Sequence, residues 1–493
     1  MVLLVVFRQG SSRRTVEAYK QQLRAQGEKL TVAELAPKPP PNSIEGAQAF
    51  MGTMSLSHSL SNYPPTMKLI GSGLAMIGWQ QEVAPVDGLS NVWPELAIEL
   101  EANRNTLTSL QTELNLPVLF FDLDYSRGFA VLLPHLAKLK QAEVLTAVSA
   151  VAALHERNFS KAWTNLHTAL ALVRLYRTEP ILISHLVRTA MAQIAIPATW
   201  EFLQSDQGTD AQLAELQSNW EAIEFFDASE AAFPMERAMS IEMFQLARKS
   251  YDGEMGALGG SPAASSSGFF SDLADDPGKT LKDLYDRYPR YWLWKRSWSY
   301  DEELSSLQGI DAILKSIHRV ELSGAFAPAL KELNANIDQI NKLHTNATAH
   351  FMLGGDNEIW SNSLLKFADT EVERRLLVTA IALKRYQLRH GKYPADLNPL
   401  VPEFLRQVPM DLMDGQPLRY RLKPDGNFLL YSVGEDGEDN GGDPTPIEPV
   451  STKSKVWFKA RDAVWPQPAT PEEVAAYYKN LTTPTAATNA PIK

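Results

Sequence analysis

The feature that most constrains this chain is a run of helical apolar patterns between residues 134 and 251. Residues 134–157, 159–177, 179–204, 210–226 and 229–251 each repeat apolar side chains at intervals of three and four. That spacing lines one face of an α-helix, so every segment must bury its stripe against a neighbour. The breaks between segments are short, as at Arg157-Asn158 and Thr178-Glu179-Pro180. Short connections make successive helices double back on one another, which predicts a bundle or a solenoid-like body.

The rest of the chain divides around that body. Residues 15–35 carry Val16, Tyr19, Leu23, Leu30 and Leu35 at roughly helical spacing among polar residues, and Pro37-Lys38-Pro39-Pro40-Pro41 then starts a stiff linker. Residues 42–92 show little periodicity and read as irregular. Residues 93–114 read as one helix, and Leu116 to Phe121 as a short strand or buried extended segment. Residues 252–278 hold Gly259-Gly260-Ser261-Pro262 and Ser265-Ser266-Ser267-Gly268, the composition of a flexible loop. Helices follow near 301–321 and 328–348, with a loop at Gly354-Gly355-Asp356-Asn357.

At 493 residues the chain exceeds the size of a single growing core. The expected units are 1–41, 42–251, the loop 252–278, a second helical part at 279–368, a C-terminal module at 369–466, and a short helix with a disordered tail at 467–493. With 44% hydrophobic and 21% charged residues there is enough apolar surface to form packed cores. A formal net charge of −11 argues against nucleic acid, whose binding draws on Lys and Arg to displace counterions. The absence of cysteine excludes disulfides, thiolate zinc sites and cysteine nucleophiles.

Met1-Val2-Leu3-Leu4-Val5-Val6-Phe7 is wholly apolar and gives way to Arg8, Arg13, Arg14 and Lys20. It is either a short buried strand or the tail end of a membrane segment with its basic flank, which would place an anchor upstream of Met1.

The C-terminal module is the most explicit stretch. Residues 369–390 form a helix with Val372, Leu376, Ala380, Leu383 and Tyr386 on one stripe, stopped by Gly391. Tyr393-Pro394 and a short helical turn near 400–405 lead to extended segments at 417–422 and 427–433, joined by Pro424-Asp425-Gly426. A hairpin packed on a helix would bury Leu418, Tyr420, Phe428, Leu430 and Tyr431. Asp436, Glu438, Asp439 and Asp443 then fall within eight residues, interleaved with Gly437, Gly441 and Gly442. Such a flexible, carboxylate-rich loop suits calcium, which takes oxygen ligands; an EF-hand is excluded because Ile447 stands where its terminal glutamate would be.

Gly391-Lys392-Tyr393-Pro394, Asp414-Gly415-Gln416-Pro417-Leu418-Arg419-Tyr420 and the run from Phe428 to Asp443 together resemble the soluble part of the major pseudopilin of type II secretion. The resemblance covers about the last quarter of the chain. It implies a helix, a sheet and a terminal calcium loop, with ligands at Asp436, Asp439 and Asp443. The family's fibre-forming N-terminal helix and its cleavage site are absent here.

Other motifs are weaker. Asn158 to Leu172 faintly resembles one helix of a tetratricopeptide repeat, without a second copy. Leu119-Phe120-Phe121-Asp122-Leu123-Asp124 is similar to a haloacid-dehalogenase strand, but both carboxylates also suit helix capping. Gly278-Lys279-Thr280 lacks the first glycine of a phosphate loop, and His155-Glu156 lacks the second histidine of a zinc-protease helix. Tyr291, Trp292, Trp294 and Trp298 belong to the densest aromatic cluster and form either a partner interface or an aromatic core between helix ends. The expectation is therefore a non-enzymatic, mainly α protein of the cell envelope, membrane-associated or periplasmic, with protein partners and no identified small-molecule substrate. The alternatives are a cytoplasmic helical-repeat adaptor without metal and an Asp-dependent hydrolase.

Overall fold

The computed structural model describes residues 2–41, 43–63, 68–70, 75–77, 93–113, 119–176, 179–249, 291–344, 356–445 and 460–482. The expected loop at 252–278, the Gly354-Gly355 turn and the C-terminal tail lie outside these residues.

The chain opens on α1 (Val2–Ala25). The described part of the apolar start is thus helical, which corrects the expectation of a strand there and moves the helix from 15–35 to an earlier start and stop. Gly27, with φ of 89°, ends it, because a left-handed turn after the last helical residue costs glycine nothing. Glu34 then accepts from the Thr31 backbone N–H at 3.1 Å and opens α2 (Val32–Leu35). Val16, Leu23 and Leu30 pack with residues of the helical body. Among the described residues no helix is long and apolar enough to cross a membrane.

Next come α3 (Ser43–Ser55), strands β1 (Lys68–Ile70) and β2 (Ala75–Ile77), α4 (Trp93–Ala102) and α5 (Arg104–Glu113). The stretch expected as irregular therefore holds a helix and two strands. The single helix expected at 93–114 is broken at Asn103, whose side chain donates to the Glu99 carbonyl at 2.9 Å and accepts from the His58 N–H at 2.9 Å. A polar side chain that bonds to nearby backbone in this way competes with the helical ladder.

The body consists of α6 (Pro134–His155), α7 (Phe159–Leu175), α8 (Leu182–Leu203), α9 (Asp210–Glu221), the short α10 (Phe226–Ser229) and α11 (Ala232–Ala247). Proline at the first position of α6 and the Asn158 cap of α7, which accepts from Lys161 N–H at 3.1 Å, fix the helix starts. The three residues between α6 and α7 force the chain to reverse, so α6, α7 and α8 pack on one another. This bears out the helical body.

A second helical group follows: α12 (Tyr291–Ser297), α13 (Ser299–Ser323), α14 (Phe326–His344) and α15 (Asp356–His390). The last starts 13 residues before the expected position, because Trp360, Leu364, Phe367 and Ala368 extend the buried stripe that Val372 and Leu376 continue. The boundary expected between residues 368 and 369 falls inside it. Helix α15 is central, packing against α8, α9, α13 and α14. One apolar core runs from Ala47 through Trp200, Trp220, Phe233, Ile313 and Leu377 to Phe428 and Trp465.

Beyond α15, β3 (Arg419–Leu422) and β4 (Phe428–Ser432) form the expected antiparallel hairpin, and β5 (Ala463–Val464) adds a third strand beside β4. Strand β6 (Gln467–Pro468) pairs in parallel with β2 in a separate small sheet, and α16 (Pro471–Thr482) follows.

Candidate functional site

The acidic loop leaves β4, whose five residues are all buried, and returns as far as Asp443 to lie beside Asp462, one residue before β5. Its backbone is shaped by glycine. A Cβ on Gly434 would stand 2.7 Å from the Arg461 carbonyl oxygen, and one on Gly442 would stand 2.7 Å from a Leu429 methyl. Both have positive φ, so only glycine fits without strain.

The carboxylates expected to hold calcium are each turned onto local donors. Asp436 accepts from Glu438 N–H at 3.0 Å and from the Asn440 amide at 3.3 Å. Asp439 accepts from Gly441 N–H at 3.0 Å, the Tyr431 hydroxyl at 2.9 Å and Arg419 Nε at 3.4 Å. The Gly441 bond leads the effects that hold its carboxyl below the ordinary range. Asp443 accepts from the Thr445 hydroxyl at 2.6 Å and N–H at 3.0 Å, which lower it likewise. These three residues do not place their carboxylate oxygens together within 4.8 Å.

Two aspartates that sequence reasoning missed organise this region. Asp462 accepts from the backbone N–H of Asn440 at 3.3 Å and of Gly442 and Asp443 at 2.8 Å. Burial nevertheless pushes its carboxyl up. Asp411 accepts from Met413 N–H, the Ser432 hydroxyl and Val433 N–H at 3.0, 2.7 and 2.9 Å, and burial raises it too. Arg419 spans the set, bonding Asp414, Asp411 and Asp439. No local pattern marks Asp462, because its partners lie some twenty residues earlier in the chain.

Of the aromatic cluster, Trp294 is 1% exposed and donates to Glu302. Tyr291 donates to the Ala247 carbonyl at 2.7 Å and stacks on Trp294, and Trp298 packs beside them against α11. Trp292 stands apart at 50% exposure. Asp124 caps the turn Tyr125–Ala130 by accepting from Ser126 N–H at 3.2 Å, and Asp122 is exposed. The ring of His155 stacks on Trp93 at 3.9 Å.

Two further polar groups were not visible in the sequence. In the core, His135 Nε2 lies 2.9 Å from Glu179 Oε1, and the Glu179 carboxylate accepts from Tyr176 and Ser184 hydroxyls at 2.7 and 2.6 Å. All four are buried. At the surface, Glu230, between α10 and α11, meets His318 and Glu321 of α13; their ligand atoms all lie within 4.8 Å of one another. Burial and then Glu321 push the Glu230 carboxyl up. The His318-x-x-Glu321 spacing was the only available sign. No family model matches the chain, and neither a curated protein nor a solved structure is similar to it.

Proposed function

We propose that this chain is a non-enzymatic scaffold or binding protein of the cell envelope, linked to type II secretion, with a pseudopilin-like and calcium-stabilised C-terminal module. The observation that carries the reading is the order of elements. One long helix stops at Gly391, Tyr393-Pro394 turns back under the sheet, the β3–β4 hairpin follows, and the acidic loop comes next, ahead of β5. The turn is anchored by the Tyr420 hydroxyl, which donates to the Pro394 carbonyl at 2.7 Å, and by Tyr393 edge-on to Phe428. Asp436 and Glu438 remain exposed on a loop already bent by glycines, and a hard cation there would offset the crowding of like charges. Protein partners would meet the helical body, with the exposed Trp292 as one anchor.

A metal-free helical adaptor is the second reading. It is favoured by Arg419, Tyr431 and the Asp462 cradle, which hold the loop without an ion. Calorimetric titration of calcium into the chelator-stripped full chain separates the two. One binding event, lost in Asp436→Ala, is expected; heat no greater than dilution favours the adaptor.

A further inference from the structure

We propose that Glu230, His318 and Glu321 form a surface site for a divalent transition-metal ion of the zinc type. This does not rest on the calcium reading, since it uses other residues on other elements.

His318 and Glu321 sit three residues apart on α13, so their side chains share one face of the helix. Glu230 approaches from the link between α10 and α11. His318 Nδ1 lies 3.7 Å from Glu230 Oε1 and 3.5 Å from Glu321 Oε2. Those separations are too long for charge-assisted hydrogen bonds, which run at about 2.7–2.9 Å. They come close to what ligands of one ion require: donors at about 2.0–2.2 Å from a tetrahedral centre stand roughly 3.3–3.6 Å apart, so the 3.5 Å pair already fits and a shift of about 0.1 Å brings the 3.7 Å pair into range.

The donor set also selects the ion. An imidazole with two carboxylates suits zinc and its neighbours, whereas calcium and magnesium take oxygen ligands. Three protein ligands leave one position for water or a ligand from solvent, and His318 is 69% exposed. The surroundings are acidic: Asp227, Glu224 and Glu28 act electrostatically on this corner, with Arg375 the opposing cation at Asp227. By contrast His167 and Glu215, 3.2 Å apart, make an exposed pair with no third ligand among the described residues, a built-in control.

Equilibrium dialysis of the chelator-stripped full chain against zinc at neutral pH tests the site. One equivalent should bind to wild type and to His167→Ala. In His318→Ala and in Glu230→Gln affinity should fall by more than about tenfold, the least that losing even an outer-shell partner typically costs. Circular dichroism confirms that each variant is folded, and Glu321→Gln replaces any that is not. Excess calcium should leave zinc bound, and Asp436→Ala should bind as wild type. The proposal is overturned if wild type binds no zinc, if the ligand variants bind it equally well, or if binding is lost in Asp436→Ala instead.

Discussion

On α6, Glu143 is fully buried and neither of its carboxylate oxygens has a hydrogen-bond partner among the described residues. Burial raises its carboxyl well above the ordinary value of 4.5. Below that value both the folded and unfolded chains hold the proton and nothing is lost. As pH rises past it, the unfolded chain releases the proton while the folded chain keeps it, so stability falls with rising pH. Glu143→Met, similar in volume and apolar, should remove that fall and raise stability at neutral pH by about 1–3 kcal/mol. Denaturant melts of both forms at acid and neutral pH measure it; a variant no more stable at neutral pH contradicts the assignment. Such residues mark the limit of reading sequence alone. Glu143, Asp411 and Asp462 look like any other acidic residue in the chain, and only the fold decides whether donors surround them.

Among the elements, one close junction lies between the α13–α14 turn and the loop leading to β3. The backbone N–H groups of Phe326 and Ala327, at the first turn of α14, donate to the carbonyls of Leu412 and Met413 at 2.8 and 2.9 Å. Helix N-termini have unpaired donors, and here a distant loop satisfies them. Gly415 permits the approach. Its φ is +73°, and an added Cβ would stand 3.1 Å from the Ser323 carbonyl oxygen. Gly415→Ala should therefore cost about 2–3 kcal/mol, while Gly441→Ala, with similar φ but open space, should cost about 1 kcal/mol. Equal losses in chemical denaturation would show that the contact carries no strain. Helices such as α6, α7 and α13 were legible because long apolar stripes announce themselves. The start of α15 was not, since the polar turn Asp356-Asn357-Glu358 follows two glycines and resembles a loop. Strand β5 has two residues, too few for any period, and exists because β4 offers it a ladder.

For the molecule as a whole, α15 joins what the sequence presented as separate units. It packs along its length on the helical body, where Arg385 near its C-terminal end bonds Asp210 and Gln217 of α9 at 2.9 Å, and it also lies against β4. Glu371, buried in that helix, ties the body together. Burial would raise its carboxyl, but Arg374 and Arg375 outweigh that and hold it below the ordinary range. With one core running through both parts, strain relieved in the acidic loop is felt in the melting of the full chain. The proposed role of a calcium-stabilised scaffold can therefore be tested by thermal melting of wild type and Asp436→Ala, each with calcium and with chelator. A rise in melting temperature with calcium, present in wild type and missing in Asp436→Ala, is the predicted result. Superimposable curves with and without calcium would contradict it.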